Sequence, residues 1–113
     1  MNKRLQNMLG NMITTEYLKG QGYEVLEMSH PTRYGVIDVI AKKEGMVVFV
    51  DVAYEPKKHE PQEILNYYKK KSLQHSIAGY VSKNNIKLWR LDVCELRKES
   101  KSYKVDYFEY IAF

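Results

Sequence analysis

Two aspartates stand alone inside otherwise apolar segments, Gly35-Val36-Ile37-Asp38-Val39-Ile40-Ala41 and Val47-Val48-Phe49-Val50-Asp51-Val52-Ala53. A carboxylate in such a setting must be met by a cation, by backbone donors or by solvent at a strand end, because burying it alone is costly or forces it to take a proton. The turn-like Glu44-Gly45 lies between the two segments. A two-residue turn there pairs positions whose numbers add to 89, as 38 and 51 do, and a four-residue loop gives the same register. Residues directly opposed on antiparallel strands share a face with Cβ atoms about 4.5–5.5 Å apart, so two like charges need something positive between them. A divalent metal held by oxygen ligands would supply it. Three alternatives stay open: one aspartate is protonated, a lysine from the later helix pairs with it, or an odd-length loop breaks the register.

The second group of residues able to do chemistry is basic. Residues 57 to 104 hold twelve Lys and Arg against five Asp and Glu, whereas residues 23 to 56 hold three against six, within a net charge of +4. An acidic centre beside a basic half suits carboxylates that hold a cation and lysines that hold a polyanion, and a solvated helix face would look the same. Lys69-Lys70-Lys71 is the densest basic run, and Tyr67 and Tyr54, two of ten tyrosines, are placed to stack bases near it. His30, His59 and His75 show no ligand spacing with one another or with Cys94, which excludes a zinc motif. Cys94, in Leu91-Asp92-Val93-Cys94, reads as a buried thiol, and no Gly-rich phosphate loop or serine triad motif occurs.

The elements that must position these groups follow from periodicity. Leu5, Met8, Leu9, Met12, Ile13 and Tyr17 recur at helical spacing up to Gly20-Gln21-Gly22. Tyr23 to Met28 reads as a strand limited by a turn at His30-Pro31-Thr32, and Tyr34 to Lys42 with Met46 to Tyr54 as an antiparallel hairpin. After Pro56 and Pro61 a second helical pattern runs through Ile64, Leu65, Tyr68, Leu73, Ile77 and Val81. Ile86 to Leu96 reads as a strand, Lys98 to Ser102 as a polar loop and Lys104 to Phe113 as a strand-like tail. The expectation is one α/β domain over residues 1–113, order αβββαβ, with a central mixed sheet of four to five strands flanked by helices. Met1-Asn2-Lys3-Arg4-Leu5-Gln6 is followed by no apolar run, so neither a secretory signal nor a membrane partner is expected and the cytoplasm is the expected location.

These segments resemble the YraN-like (UPF0102) family of endonuclease-like proteins. The two aspartate strands look like the family pattern GEIDLIA…VFVEVK. Gly10 through Tyr23 resembles its first-helix signature, and Lys70 and Ala78 match its second helix. Arg90-Leu91-Asp92-Val93 looks like its RFDV strand, and Ile111-Ala112-Phe113 resembles its NAF-like end. The resemblance implies a PD-(D/E)XK, restriction-endonuclease-like core in which an acid pair binds Mg2+ or Mn2+ and a lysine two residues after the second acid activates water. Asp38 and Asp51 keep both ligand positions, but the lysine position is Ala53. The family's first-helix acid corresponds to Asn11, the Glu of GEID to Val36, and an arginine two beyond the lysine to Glu55.

The expected function is therefore a nucleic-acid-binding, endonuclease-like protein with a degenerate site. DNA is the first expectation for its partner, a metal would be held weakly by Asp38 and Asp51, and Lys69 to Lys71 would contact phosphate. Loss of a well-placed electrostatic group typically costs about 10²–10³ in rate. One alternative is an active nuclease in which Lys70 supplies the missing charge, with Lys42 a weaker substitute. Another is a protein-interaction module, dimerising through the tyrosine-rich end from Tyr103 to Phe113.

Overall fold

Helix α1 (Lys3–Gly20) begins where the Asn2 side chain accepts the Leu5 N–H at 2.9 Å. It ends where Gly22 takes a left-handed φ of 87°, with Tyr23 N–H bonded to Leu18 C=O and Gly22 N–H to Lys19 C=O. The computed structural model describes residues 2–54 and 67–113, without the side chains of Tyr67 and Tyr68. The expectations for Glu55, Pro56, His59, Pro61, Ile64, Leu65 and the side chains of Tyr67 and Tyr68 lie outside the described residues.

The strands β1 (Glu24–Thr32), β2 (Gly35–Lys43), β3 (Met46–Tyr54), β4 (Trp89–Glu99) and β5 (Ser102–Phe108) form one sheet in sequential order. Neighbours pair antiparallel except β3 and β4, which are parallel and lie on either side of helix α2 (Tyr67–Lys83) in the chain. A parallel pair needs a long crossover, usually a helix, and α2 is that helix. The order is αβββαββ, a mixed α/β fold compatible with the nuclease-like core.

The closing strand stops at Phe108 rather than Phe113, and three further boundaries differ from the sequence expectation for local reasons. β1 does not stop at His30-Pro31-Thr32 but runs through it, because β1 is an edge strand, where a residue without an N–H is tolerated. The chain turns at Arg33-Tyr34 instead, with Thr32 Oγ1 accepting the Tyr34 N–H and donating to Gly35 C=O. Lys98 to Ser102 is not an open loop: Glu99 pairs with Ser102 across a two-residue turn, and the polar strand β5 is accepted because it too is an edge. β4 begins at Trp89 rather than Ile86, whose N–H closes α2 on Val81 C=O at 3.0 Å.

The sheet has two apolar faces. Ile37, Ile40, Phe49, Leu91 and Val93 pack with Leu73 and Ile77 of α2, and Val39, Ala41, Val48, Val50, Cys94 and Leu96 pack with Leu18 and Tyr23 at the end of α1. Cys94 is fully buried and burial pushes its thiol up to about 11, as a structural cysteine requires. The inner stripe of α1 is not the expected series of large apolar residues. Gly10, Asn11, Thr14, Thr15 and Leu18 face the sheet, whereas Leu5, Met8 and Met12 are about half exposed, at 51, 51 and 54%. Small residues let the helix lie close: a Cβ on Gly10 would sit 2.6 Å from the Tyr54 ring, and Thr14 Oγ1 donates to Cys94 Sγ at 3.3 Å.

The end of the chain is fastened through Asp92, which is fully buried. Its carboxylate receives Arg90 Nε at 3.0 Å, the Tyr107 hydroxyl at 2.7 Å and the Tyr110 N–H at 3.0 Å, and Arg90 also donates to the Tyr23 hydroxyl at 2.7 Å. The Arg90-Leu91-Asp92-Val93 segment thus ties β4, β5, the end of α1 and the closing segment together. Removing one partner of a buried charge pair leaves the other uncompensated. Asp92→Ala is accordingly expected to lose about 3–5 kcal/mol of unfolding free energy in urea titrations, an upper-range value for a single substitution.

Candidate functional site

The hairpin that carries both aspartates is set by its turn. Glu44 and Gly45 both take positive φ, 51° and 81°, the geometry of a type I′ turn, which matches the twist of the strands it joins. Pairing then runs from Lys43↔Met46 to Val39↔Val50, the register expected from the sequence. Asp38 and Asp51 come next in that frame, and there the ladder stops. Asp38 has turned toward the neighbouring backbone, its Oδ2 accepting the Val52 N–H at 2.8 Å.

Asp51 is 3% exposed and lies on the α2 side of the sheet, where Lys69 Nζ reaches its Oδ2 at 2.9 Å. Of the three alternatives to a bridging metal, the geometry realises a lysine of the second helix paired with one acid. Burial, and then the negative charge of Asp51, push the Asp38 carboxyl from its ordinary 3.8 up to about 7, against the pull of the Val52 N–H and Lys69. Burial also raises Asp51, and Lys69 opposes it. The ammonium favours the ionised form of Asp51, and the charge of Asp51 in turn raises Asp38.

The other expected site residues are divided among three places. Lys70 lines a cavity of about 690 Å3 with Tyr107 to Phe113, and Lys71 is exposed. Tyr54 packs beneath α1 against Gly10, 5.7 Å from the Tyr103 ring, with burial raising its hydroxyl to about 12. The Tyr67 backbone opens the described part of α2. Ala53 is buried on the α2 face. Asn11 is buried and donates its Nδ2 to Ser29 Oγ at 2.8 Å, and Ser29 falls between the pairs Met28↔Val39 and His30↔Ile37, abreast of Asp38. Val36 is exposed and lines the same cavity as Asp38.

Two further assignments belong here: Glu95, which the sequence reading left aside, and Lys69, which it placed among the phosphate contacts. Glu95 is fully buried, and parallel pairing sets it opposite Ala53. The position that lacks its lysine thus abuts a carboxylate on the next strand. Strand alternation with Leu91 and Val93 was a signal for its inward face, but only the β3–β4 register reveals its neighbour. Lys69 was legible as a basic residue and not as the partner of Asp51, because one residue along a helix is a rotation of about 100° and sequence does not fix the phase.

Among the described residues no group of three or more His, Cys, Asp and Glu side chains is arranged to hold a metal. The Asp38 and Asp51 pair nonetheless fits a hard cation. Its donors are all carboxylate oxygens, their mutual repulsion is what a cation would relieve, and Mg2+ commonly takes only one or two carboxylates, keeping water or substrate phosphate as its other ligands.

Residues 10–96 match the profile of a family described as "Uncharacterised protein family UPF0102". A UPF0102 protein of Alkaliphilus oremlandii is 33% identical over 96% of this chain and 97% of its own length. One from Campylobacter hominis is 33% identical over 80% of this chain and 82% of its own length, and one from Thermotoga maritima 31% over 86% and 87%.

Because the folded-state pKa of Asp38 is raised, its protonated form favours the fold, and that contribution, complete below about pH 4, is lost as pH rises through about 7. In metal-free buffer Asp38→Asn, which keeps an acceptor for the Val52 N–H and removes the like charge, is expected to melt higher than the wild type at pH 8 and to lose that advantage at pH 4. Thermal unfolding followed by circular dichroism at both pH values checks it, and addition of Mn2+ at pH 8 is expected to raise the melting temperature of the wild type alone.

Proposed function

The chain belongs to the UPF0102 family, and from that premise we propose that it is a nucleic-acid-binding, endonuclease-like protein. In this reading Asp38 and Asp51 hold Mg2+ or Mn2+, and Lys69 supplies, from helix α2, the charge that Ala53 does not. The observation that carries the proposal is the contact of Lys69 Nζ with Asp51 Oδ2 at 2.9 Å, beside a second, half-buried carboxyl at the end of one hairpin.

The chemistry divides among the residues as follows. A divalent metal, when bound, lowers the pKa of its water and steadies charge on a phosphate. Asp38, raised to about 7, gives up its proton near neutrality and becomes a ligand. Asp51 anchors both the cation and Lys69. The Lys69 ammonium, held beside the acids, neutralises charge that develops on the phosphate oxygens or orients the attacking water. The same ammonium already occupies Asp51, so cation and lysine compete for one carboxylate, and cleavage is slow compared with a site whose lysine rises from the strand. Lys70, Lys71 and the basic half of the chain supply salt-sensitive contacts to the phosphate backbone.

Labelled single-stranded, duplex and branched DNA incubated with the protein in Mn2+ tests the reading. The wild type is expected to cut slowly and Asp51→Asn not at all. Lys69→Met should lower the rate by about 10²–10³, whereas Lys70→Met should keep the rate at saturating DNA and weaken binding. Equal traces of cutting by the wild type and Asp51→Asn would remove the catalytic part of the proposal. A loss in Lys70→Met without a loss in Lys69→Met would move the relocated charge one residue along the helix.

A further inference from the structure

Helix α1 packs Ile13, Tyr17 and Leu18 on the sheet but leaves Leu5, Met8 and Met12 about half exposed, and the two methionines meet an open space. A cavity of about 740 Å3 lies between the first half of α1 and the β1–β2 edge, and Asp38 forms part of its wall. We infer that this cavity takes one unpaired nucleobase next to the acid pair, so that the substrate class is single-stranded or locally unpaired nucleic acid. The inference rests on the endonuclease-like reading above and adds to it what the site accepts.

The walls have the chemistry of a base-binding slot. Met8, Met12 and Met28, three of the five methionines, face the cavity while each is about half exposed. Methionine is flexible and polarisable and makes favourable sulfur contacts with aromatic rings, so it can clasp any of the bases without selecting one. The Asn7 side chain offers an amide donor and acceptor to a base edge, and the floor is built by Asn11 hydrogen-bonded to Ser29.

The mouth has the chemistry of a backbone contact. Lys3 and Arg4 line it from the first turn of α1, which contains no acid. Cations at a helix N-terminus oppose the helix dipole and cost stability, whereas a phosphate there is favoured by both the dipole and the side chains. Phosphate at the mouth, base in the cavity and the next phosphate at Asp38 is an arrangement that a nucleotide's own connectivity provides. The volume is within the range of about 300–1,000 Å3 usual for small-molecule sites.

A paired base cannot enter such a space, since both of its faces are stacked within the duplex, and extrusion must be paid for by unstacking. A second copy of this chain fits less well. It would have to bury Lys3 and Arg4 in one interface, and desolvating those charges opposes association unless each finds a partner.

Binding measured by fluorescence anisotropy in EDTA, where no metal-dependent cutting occurs, tests the inference with three probes of equal length: a mixed-sequence single strand, a fully abasic strand of the same charge, and a duplex. The wild type is expected to prefer the base-containing strand over the abasic one by about tenfold, near the upper end of what a sulfur–ring contact contributes. In Met8→Ala/Met12→Ala, whose replaced side chains are exposed and not part of the core, the preference is expected to fall to about one. Equal binding of the base-containing and abasic strands by the wild type overturns the inference, as does a preference that survives in the double variant. Asp51-dependent cutting of the same strands, measured separately in Mn2+, would then leave the nuclease reading standing. No binding to any probe, with a dimer in sedimentation that the double variant loses, overturns both and assigns the methionine face to a second copy.

Discussion

A buried and a half-buried carboxyl at the open end of one hairpin repel each other, and much of the arrangement around them answers that repulsion. The Glu44-Gly45 turn fixes the register, the register brings Asp38 and Asp51 abreast, and the ladder gives way at that point instead of holding two negative charges face to face. Asp38 retreats to the Val52 N–H with its carboxyl pushed up to about 7, while Asp51 is met by Lys69 from the basic helix. A compact cation would relieve the same repulsion, which is why a stability device and a metal site have the same geometry here.

The two helices answer to different demands. α2 packs Leu73 and Ile77 on the sheet and delivers an ammonium to the acids, so its apolar and charged faces are both used. α1 approaches through Gly10, Asn11, Thr14 and Thr15, a stripe whose merit is small size. Close approach leaves little room beneath the helix, and its methionines turn to the outer side, next to Asp38. Packing of α1 and the shape of the cavity are therefore one choice: larger inner residues would lift the helix and open the wall between the cavity and the acids.

Charge has also been redistributed around Ala53. The expected strand lysine is gone, yet Lys69 enters from α2 and Glu95 lies opposite on β4. The Arg90 and Asp92 pair, in the segment that looks like the family's RFDV strand, serves the fold through Tyr23, Tyr107 and the Tyr110 backbone. Two aspartates, 51 and 92, thus have different settings, and the difference is in their partners among the described residues: the Lys69 ammonium for one, and Arg90, the Tyr107 hydroxyl and the Tyr110 N–H for the other.

Local patterns settled a great deal in advance. Strand alternation and a single tight turn fixed the β2–β3 register from Lys43↔Met46 to Val39↔Val50, since a two-residue loop admits only one frame, and it is the turning of Asp38 to the Val52 N–H that the register did not foretell. Family likeness, read from five short segments, matched the comparison with UPF0102 relatives. Edge positions were beyond local reach: Pro31 within β1 and the polar β5 are permitted only because nothing pairs on their outer sides. The phase of each helix was likewise decided in three dimensions. Helical spacing marks an apolar stripe on α1 but not which stripe meets the sheet, and steric fit against Tyr54 and Cys94 chose the small one. Lys69, rather than Lys70, meets Asp51 for the same reason. A lysine run is identical from every side in sequence, and only the rotation imposed by packing Leu73 and Ile77 on the sheet selects the residue that reaches the acids.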